Sequence, residues 1–306
     1  MNFGGISEKR LAAFDDARIL IFPIAYEGTV SYGAGTAEGA RAIIEASRNM
    51  ELYDDETDSE VYRLGIHTLK ESAALKKPDK MMRHLHERTT ELVSSGKFVC
   101  AIGGEHSVSA PVIRAHVEKY ENLSVLQIDA HADLRDTYDG TKHSHACIMR
   151  RVTEDMRIPA VQCGIRSLSV EEARAIDSLP TRIFFAKDIA PPDAPASWQE
   201  EAVEALTENV YLTIDIDALD PSLIPHTGTP EPGGLGWYQT LDLIRLCSQR
   251  RRIVGMDLVE YAHREGADAS AFLCAKLIYK TLSYIFADET ARVRGDRLNV
   301  STPDGV

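Results

Sequence analysis

Val125-Leu126-Gln127-Ile128-Asp129-Ala130-His131-Ala132-Asp133 is an apolar run of strand length that ends in charge. The design returns at Val210-Tyr211-Leu212-Thr213-Ile214-Asp215-Ile216-Asp217, and Val99-Cys100-Ala101-Ile102 likewise runs into Gly103-Gly104-Glu105-His106-Ser107. Unbroken apolar runs mark strands buried on both faces, as in a parallel sheet covered by helices. Ligands of open parallel sheets collect beyond the carboxyl ends of the strands, so three clusters distant in sequence can meet there. A lone ionised carboxylate in such a place is costly, whereas carboxylates gathered around divalent cations are stable. The pattern reads as a metal centre.

Outward from these runs, strands are expected at 18–24, 98–102, 123–128, 160–164, 182–185, 210–214 and 252–259. Helical stretches alternate with them at 38–50, 79–95, 109–120, 170–179, 198–208, 238–250 and 268–286. Alternation of this kind predicts an α/β fold with a mostly parallel central sheet. Ser169 with Glu172 and Ser197 with Glu200 have the spacing of capping boxes. No Gly/Ser-rich or Pro-rich linker divides the 306 residues, so a single domain over 1–306 is expected.

Side chains two apart on an extended segment face the same way, so Asp129, His131 and Asp133 can share a focus, as can Asp215 and Asp217. His106 completes a set of six candidate ligands. Four carboxylates balance two divalent ions, and two imidazoles complete an oxygen-rich, thiolate-free set suited to manganese, with zinc, iron or nickel also compatible. Two ions roughly 3.5–4 Å apart can hold and deprotonate a water between them. Any one cluster alone could be a loop of solvated acids and helix caps; three at three strand ends speak against that.

Composition narrows the function classes. The formal net charge of −13 argues against nonspecific nucleic-acid binding and is compatible with a cationic substrate. The longest apolar run, 17–26, is far short of the ~20 residues of a membrane span, and residues 1–14 lack the features of a secretory signal. A cytosolic chain is expected. Its five cysteines, Cys100, Cys147, Cys163, Cys247 and Cys274, include no C-x-x-C pair and read as buried reduced thiols.

The quoted motifs, with Ser144-His145-Ala146, Asp215 to Pro221, Thr227 to Gly234, Met256 to Glu260 and the earlier Tyr32-Gly33-Ala34-Gly35-Thr36, closely resemble the ureohydrolase family of arginases and agmatinases. That resemblance implies a three-layer α/β/α fold and two Mn2+ per subunit. His106, Asp129, Asp133 and Asp215 would bind one ion and Asp129, His131, Asp215 and Asp217 the other, with Asp129 and Asp215 bridging. It further implies that a bridging hydroxide attacks a guanidino carbon, releasing urea and an amine, with Asp133 as proton carrier. Glu260 would pair with the guanidinium, and His145 would shuttle protons beside the metals, since an imidazole titrates near neutrality. His143, two residues earlier, is the rival, but the Ser-His-Ala context matches at His145. A trimer or hexamer and a place in polyamine synthesis are family expectations.

Arginases carry a loop resembling S-G-N-x-H-G-Q-P, whereas this chain has Gly140-Thr141-Lys142-His143-Ser144-His145-Ala146-Cys147. The difference favours agmatinase, giving putrescine and urea, with aminopropylagmatine as a longer alternative. Glu27, Tyr138, Asp139 and Glu231 are candidates for holding a distal amine, and His226 for edging the pocket. Guanidino acids such as guanidinobutyrate would need a cation, for which Arg150-Arg151 could serve, although an intrahelical or surface role is expected of that pair. His67, His84, His86, His116 and His263 read as structural. A metal-binding subunit without catalysis is the reading of another class; the presence of Asp133, His145 and Glu260 argues against it.

Overall fold

The alternating runs build one sheet of eight parallel strands: β1 (Ile19–Pro23), β2 (Ile66–Thr68), β3 (Phe98–Ile102), β4 (Leu123–Ile128), β5 (Ala160–Ile165), β6 (Thr181–Phe185), β7 (Asn209–Asp215) and β8 (Arg252–Val259). Their spatial order is β2-β1-β3-β8-β7-β4-β5-β6. The structure, a computed structural model, describes residues 1–195 and 197–300.

Alternation along each strand sorts side chains into two cores. Ile19 and Ile21 of β1 join Cys100 and Ile102 of β3 on one face, packed against the helices Gly39–Ser47, Trp237–Arg250 and Asp268–Ile285. Leu20 and Phe22 join Val99 and Ala101 on the other, under Pro78–Ser94 and Ser109–Val117. Period-two side chains on strands buried from both sides therefore give the three-layer α/β/α arrangement. The five cysteines are free and buried, as expected. Among the described residues no helix is long and apolar enough to cross a membrane.

Seven strands lie where expected to within a residue or so at each end. β2 was not anticipated: it is three residues long, lies at the sheet edge, and only Ile66 of Ile66-His67-Thr68 is fully buried. The Ser169–Glu172 capping box forms, Ser169 N–H donating to Glu172 Oε2 at 2.7 Å and Glu172 N–H to Ser169 Oγ at 3.3 Å. That at Ser197 does not, because its backbone is already helical (φ −87°, ψ −6°) and its hydroxyl turns toward Glu201 instead. Beyond the last core helix the chain continues as a polar helix over Ala287–Val300; 301–306 lie outside the described residues.

Candidate metal centre

The four central neighbours of the sheet, β3, β8, β7 and β4, all end at one place. His106 follows β3, Asp129 follows β4 directly, Asp215 is the last residue of β7, and Glu260 follows β8. The loop after β3 passes so close to its neighbour that a Cβ on Gly104 would lie 1.9 Å from the Tyr26 carbonyl oxygen, so only glycine fits. Asp133 (φ 53°) and Glu260 (φ 62°) both take the left-handed conformation, a local cost that turns each carboxylate back toward the strand ends. Glu260 Oε1 accepts the His106 backbone N–H at 2.6 Å, tying the ends of β3 and β8 together.

The side chains form two groups, His106 with Asp129 and Asp215, and Asp129 with His131 and Asp217. Asp129 belongs to both. Its Oδ2 lies 3.1 Å from His106 Nδ1 and its Oδ1 lies 3.7 Å from His131 Nδ1. Asp133 Oδ2 and Asp215 Oδ2 approach His106 Nδ1 to 3.0 and 3.3 Å, and Asp217 Oδ2 approaches His131 Nδ1 to 2.9 Å. Asp215 thus sits with the first group, and its Oδ1 accepts the Asp217 backbone N–H at 3.0 Å.

Hydrogen bonding fixes how His106 presents its ring. The Thr213 hydroxyl donates to Asp257 Oδ1 at 2.6 Å, so at 3.0 Å from His106 Nε2 its oxygen accepts the ring N–H. Nδ1 is left bare, fully buried and without a hydrogen bond, facing three carboxylates. Something positive must occupy that focus. Without a metal it is protons: burial and the charges of Asp133 and Asp217 push Asp129 up to about 7, and Asp215 is raised well above its usual range by burial and the same kind of repulsion. Burial opposes charge on both histidines, but the carboxylates overcome it, lifting His106 well above normal and His131 to about 11. Burial also opposes charge on Asp217, yet the His131 imidazolium holds it down at about 2. A bare imidazole nitrogen and convergent carboxylate oxygens, with no thiolate, are donors that fit divalent cations.

His106, His131, Asp133, Asp215 and Asp217 line a cleft of about 320 Å³ with His145, Glu260, Tyr32, Tyr138 and Glu231, and Asp129 is fully buried behind them. His145 packs edge-on against Tyr138, ring centres 5.8 Å apart. His143 turns away to Asp79 at 3.3 Å, leaving His145 as the histidine of that loop in the cleft. Burial raises Glu260 to about 8, a poise from which an approaching guanidinium favours the ionised form.

Several expected pocket residues lie elsewhere. Glu27 is engaged in its own loop, accepting the N–H of Gly35 at 2.7 Å and of Ala37 at 3.2 Å. Asp139 occupies a left-handed turn within the short Tyr138–Thr141 bridge. His226 is held by Ser270 Oγ at 2.7 Å and is not part of the cleft lining. Arg150 pairs with Glu154 and the buried Arg151 with Asp155, each four residues on along the same helical segment, in the intrahelical role expected of them, and Arg151 also meets Asp136. Arg135, missed in the sequence, does line the cleft, but its guanidinium lies over the Tyr138 ring at 4.9 Å and 3.7 Å from Glu172. Arg166 was missed too. It donates to the carbonyls of Asp217 at 2.7 Å and Glu231 at 2.8 Å, clamping two loops of the cleft, and only its place just beyond β5 hinted at this.

Comparison with known proteins gives one family. Residues 17–283 match the model of the arginase family. An N(1)-aminopropylagmatine ureohydrolase of Synechocystis sp. is 40% identical over 287 residues, covering 91% of this chain and 92% of the relative. An agmatinase of Pyrococcus horikoshii is 31% identical over 266 residues, 86% and 90% of the two chains. The crystal structure of agmatine ureohydrolase of Thermoplasma volcanium superposes with a TM-score of 0.83 at 27% identity, covering 94% and 97%.

Proposed function

The chain belongs to the arginase family of ureohydrolases, and from that premise we propose that it hydrolyses the guanidino group of a linear guanidino-amine to urea and an amine. One observation carries this: carboxylates and histidines with the chemistry of a two-metal site share a single cleft with Glu260 and His145. The ligands are His106, Asp129, His131, Asp133, Asp215 and Asp217, with manganese the ion best matched to the donors. When bound, two divalent ions supply the Lewis acidity that makes a water nucleophilic at neutral pH.

The protein's own groups do the rest. Glu260, largely buried in the cleft lining, receives the guanidinium and orients its carbon toward the metal side. Asp133 reaches the same focus and carries a proton from the attacking water to the departing amine, a role that a carboxylate at a metal edge performs as general base and then acid. His145, at the cleft wall, exchanges with solvent the other proton of that water.

The distal end of the substrate meets Glu231, Tyr138 and Tyr32, the last 73% exposed at the mouth. Acid and aromatic faces suit an ammonium. The arginine of the cleft is already engaged by Tyr138 and Glu172, which leaves a substrate carboxylate poorly served. The sequence put agmatine first. The 40% identical relative moves aminopropylagmatine ahead of it, and the agmatinase at 31% keeps agmatine as the second reading. One continuous sheet from β1 to β8 supports reading the chain as one domain.

The test is urea release by manganese-loaded protein against aminopropylagmatine, agmatine, arginine, guanidinobutyrate and free guanidine. Turnover of the two amines above the acids is expected. Preference for a guanidino acid would overturn the substrate class, and silence on every compound with two ions bound would favour a non-catalytic subunit.

A further inference from the structure

His145 holds its place through two residues that the function described above does not use. Its backbone N–H donates to Thr29 Oγ1 at 3.1 Å, and its Nδ1 lies 3.3 Å from the same oxygen. The Thr29 hydroxyl has one proton, and that proton is committed to Glu105 Oε1 at 2.6 Å. Glu105 is itself fully buried, and its Oε2 is fixed by the N–H groups of Gly28 at 2.7 Å and Thr29 at 2.6 Å. A threonine whose proton is spent can only accept from an imidazole. Among the described residues Nδ1 has one further hydrogen-bonding contact, Ser144 Oγ, slightly farther off at 3.4 Å.

We propose that Glu105 and Thr29 are positioning residues that keep the His145 proton on Nδ1, so that the bare Nε2 is the nitrogen turned to the reaction. The inference rests on the reading of His145 as the proton carrier. Its logic is repeated across the cleft, where Asp257 takes the Thr213 proton and Thr213 in turn accepts from the ring of His106. There the device protonates Nε2 and bares Nδ1 for the metal. At His145 the same three residue types, carboxylate, threonine and histidine, are arranged to give the opposite tautomer. Thr29 is not part of the cleft lining, so it acts through the imidazole. Tyr138, edge-on to the ring, limits its rotation from the other side.

Thr29→Val keeps the shape and removes the hydroxyl, whereas Glu105 also anchors backbone and would confound folding if replaced. In manganese-loaded protein, assayed with the better of aminopropylagmatine and agmatine, Thr29→Val is expected to lower kcat roughly 10–100-fold, with KM and metal content little changed. Thr29→Ser should restore the rate. In a His145→Ala background Thr29→Val should cost nothing further, because the two act as a unit. Separately, 15N-histidine spectra of the zinc-loaded protein, at a pH where the ring is neutral, should show His145 protonated at Nδ1, becoming a tautomer mixture in Thr29→Val. A full additive loss in the His145→Ala background, or an Nε2–H tautomer in the unaltered protein, overturns the relay. If His145→Ala alone turns over normally, the proton-carrier reading fails instead, and the spectra still decide the tautomer.

Discussion

Asp133 combines two demands that a substitution can separate. Its φ of 53° is tolerated well by asparagine but badly by alanine, since the left-handed region costs an ordinary residue about 1–2 kcal/mol. Asp133→Asn should therefore melt near the parent temperature while losing about 10²–10⁴ in kcat, and Asp133→Ala should lose the same activity together with stability; urea assays beside thermal melts check both. Glu260→Gln keeps an acceptor for the His106 N–H but loses the charge proposed to meet a guanidinium. A charge-assisted hydrogen bond is worth about 1.5–3 kcal/mol, so kcat/KM should fall roughly 10–100-fold while the fold survives. The candidate ligands were legible because charge at the end of an apolar run is rare without a purpose. The partners that fix the rings, Thr213, Asp257, Thr29 and Glu105, were not. Threonine in a strand looks like any β-branched residue, and a hydroxyl announces nothing about where its proton goes.

Strands and helices were legible in proportion to how completely they are buried. β3, β4 and β8, buried along nearly their whole length and mostly apolar, were read residue for residue, whereas β2 owes its existence to pairing with β1 and has too few apolar residues to declare itself. The helix Ser109–Val117 shows how such elements couple to pH. Its His116 is buried between Tyr211, ring centres 4.8 Å apart, and Gly255, where a Cβ would lie 2.2 Å from Nε2. Burial, aided by the charge of Lys119 against the Val112 carbonyl bond, holds the folded imidazole down at about 4. The unfolded chain, with an ordinary histidine, binds a proton that the folded one refuses. This contribution is therefore complete above the unfolded value of about 6.5 and is lost as pH falls toward 4, on the order of 3 kcal/mol in all. Denaturant titrations at neutral and mildly acid pH should show that slope in the parent and a shallower one in His116→Asn. Gly255→Ala, forcing the ring aside, should destabilise at every pH by about 1–3 kcal/mol.

At the scale of the whole molecule, the four central strand ends converge on a carboxylate-rich site whose like charges repel, and we propose that divalent cations relieve that repulsion. The carboxylates of Asp129, Asp133, Asp215 and Asp217 are all buried within reach of one another, and the metal-free protein answers by holding protons. Divalent ions must expel those protons from His106, His131 and Asp129 before they can bind, so affinity should fall as pH falls. Binding should thus release protons, seen as a calorimetric heat that changes with the ionisation enthalpy of the buffer. Since the folded chain alone assembles the site, metal at a hundredfold excess over its dissociation constant should add about 2.7 kcal/mol of stability for each ion bound. Chelator-treated protein should melt lower and recover on adding manganese. Equal melting with and without metal, or binding that takes up no buffer dependence, would mean that the carboxylates are settled by the protein alone and that the convergence of four strand ends is not a metal site.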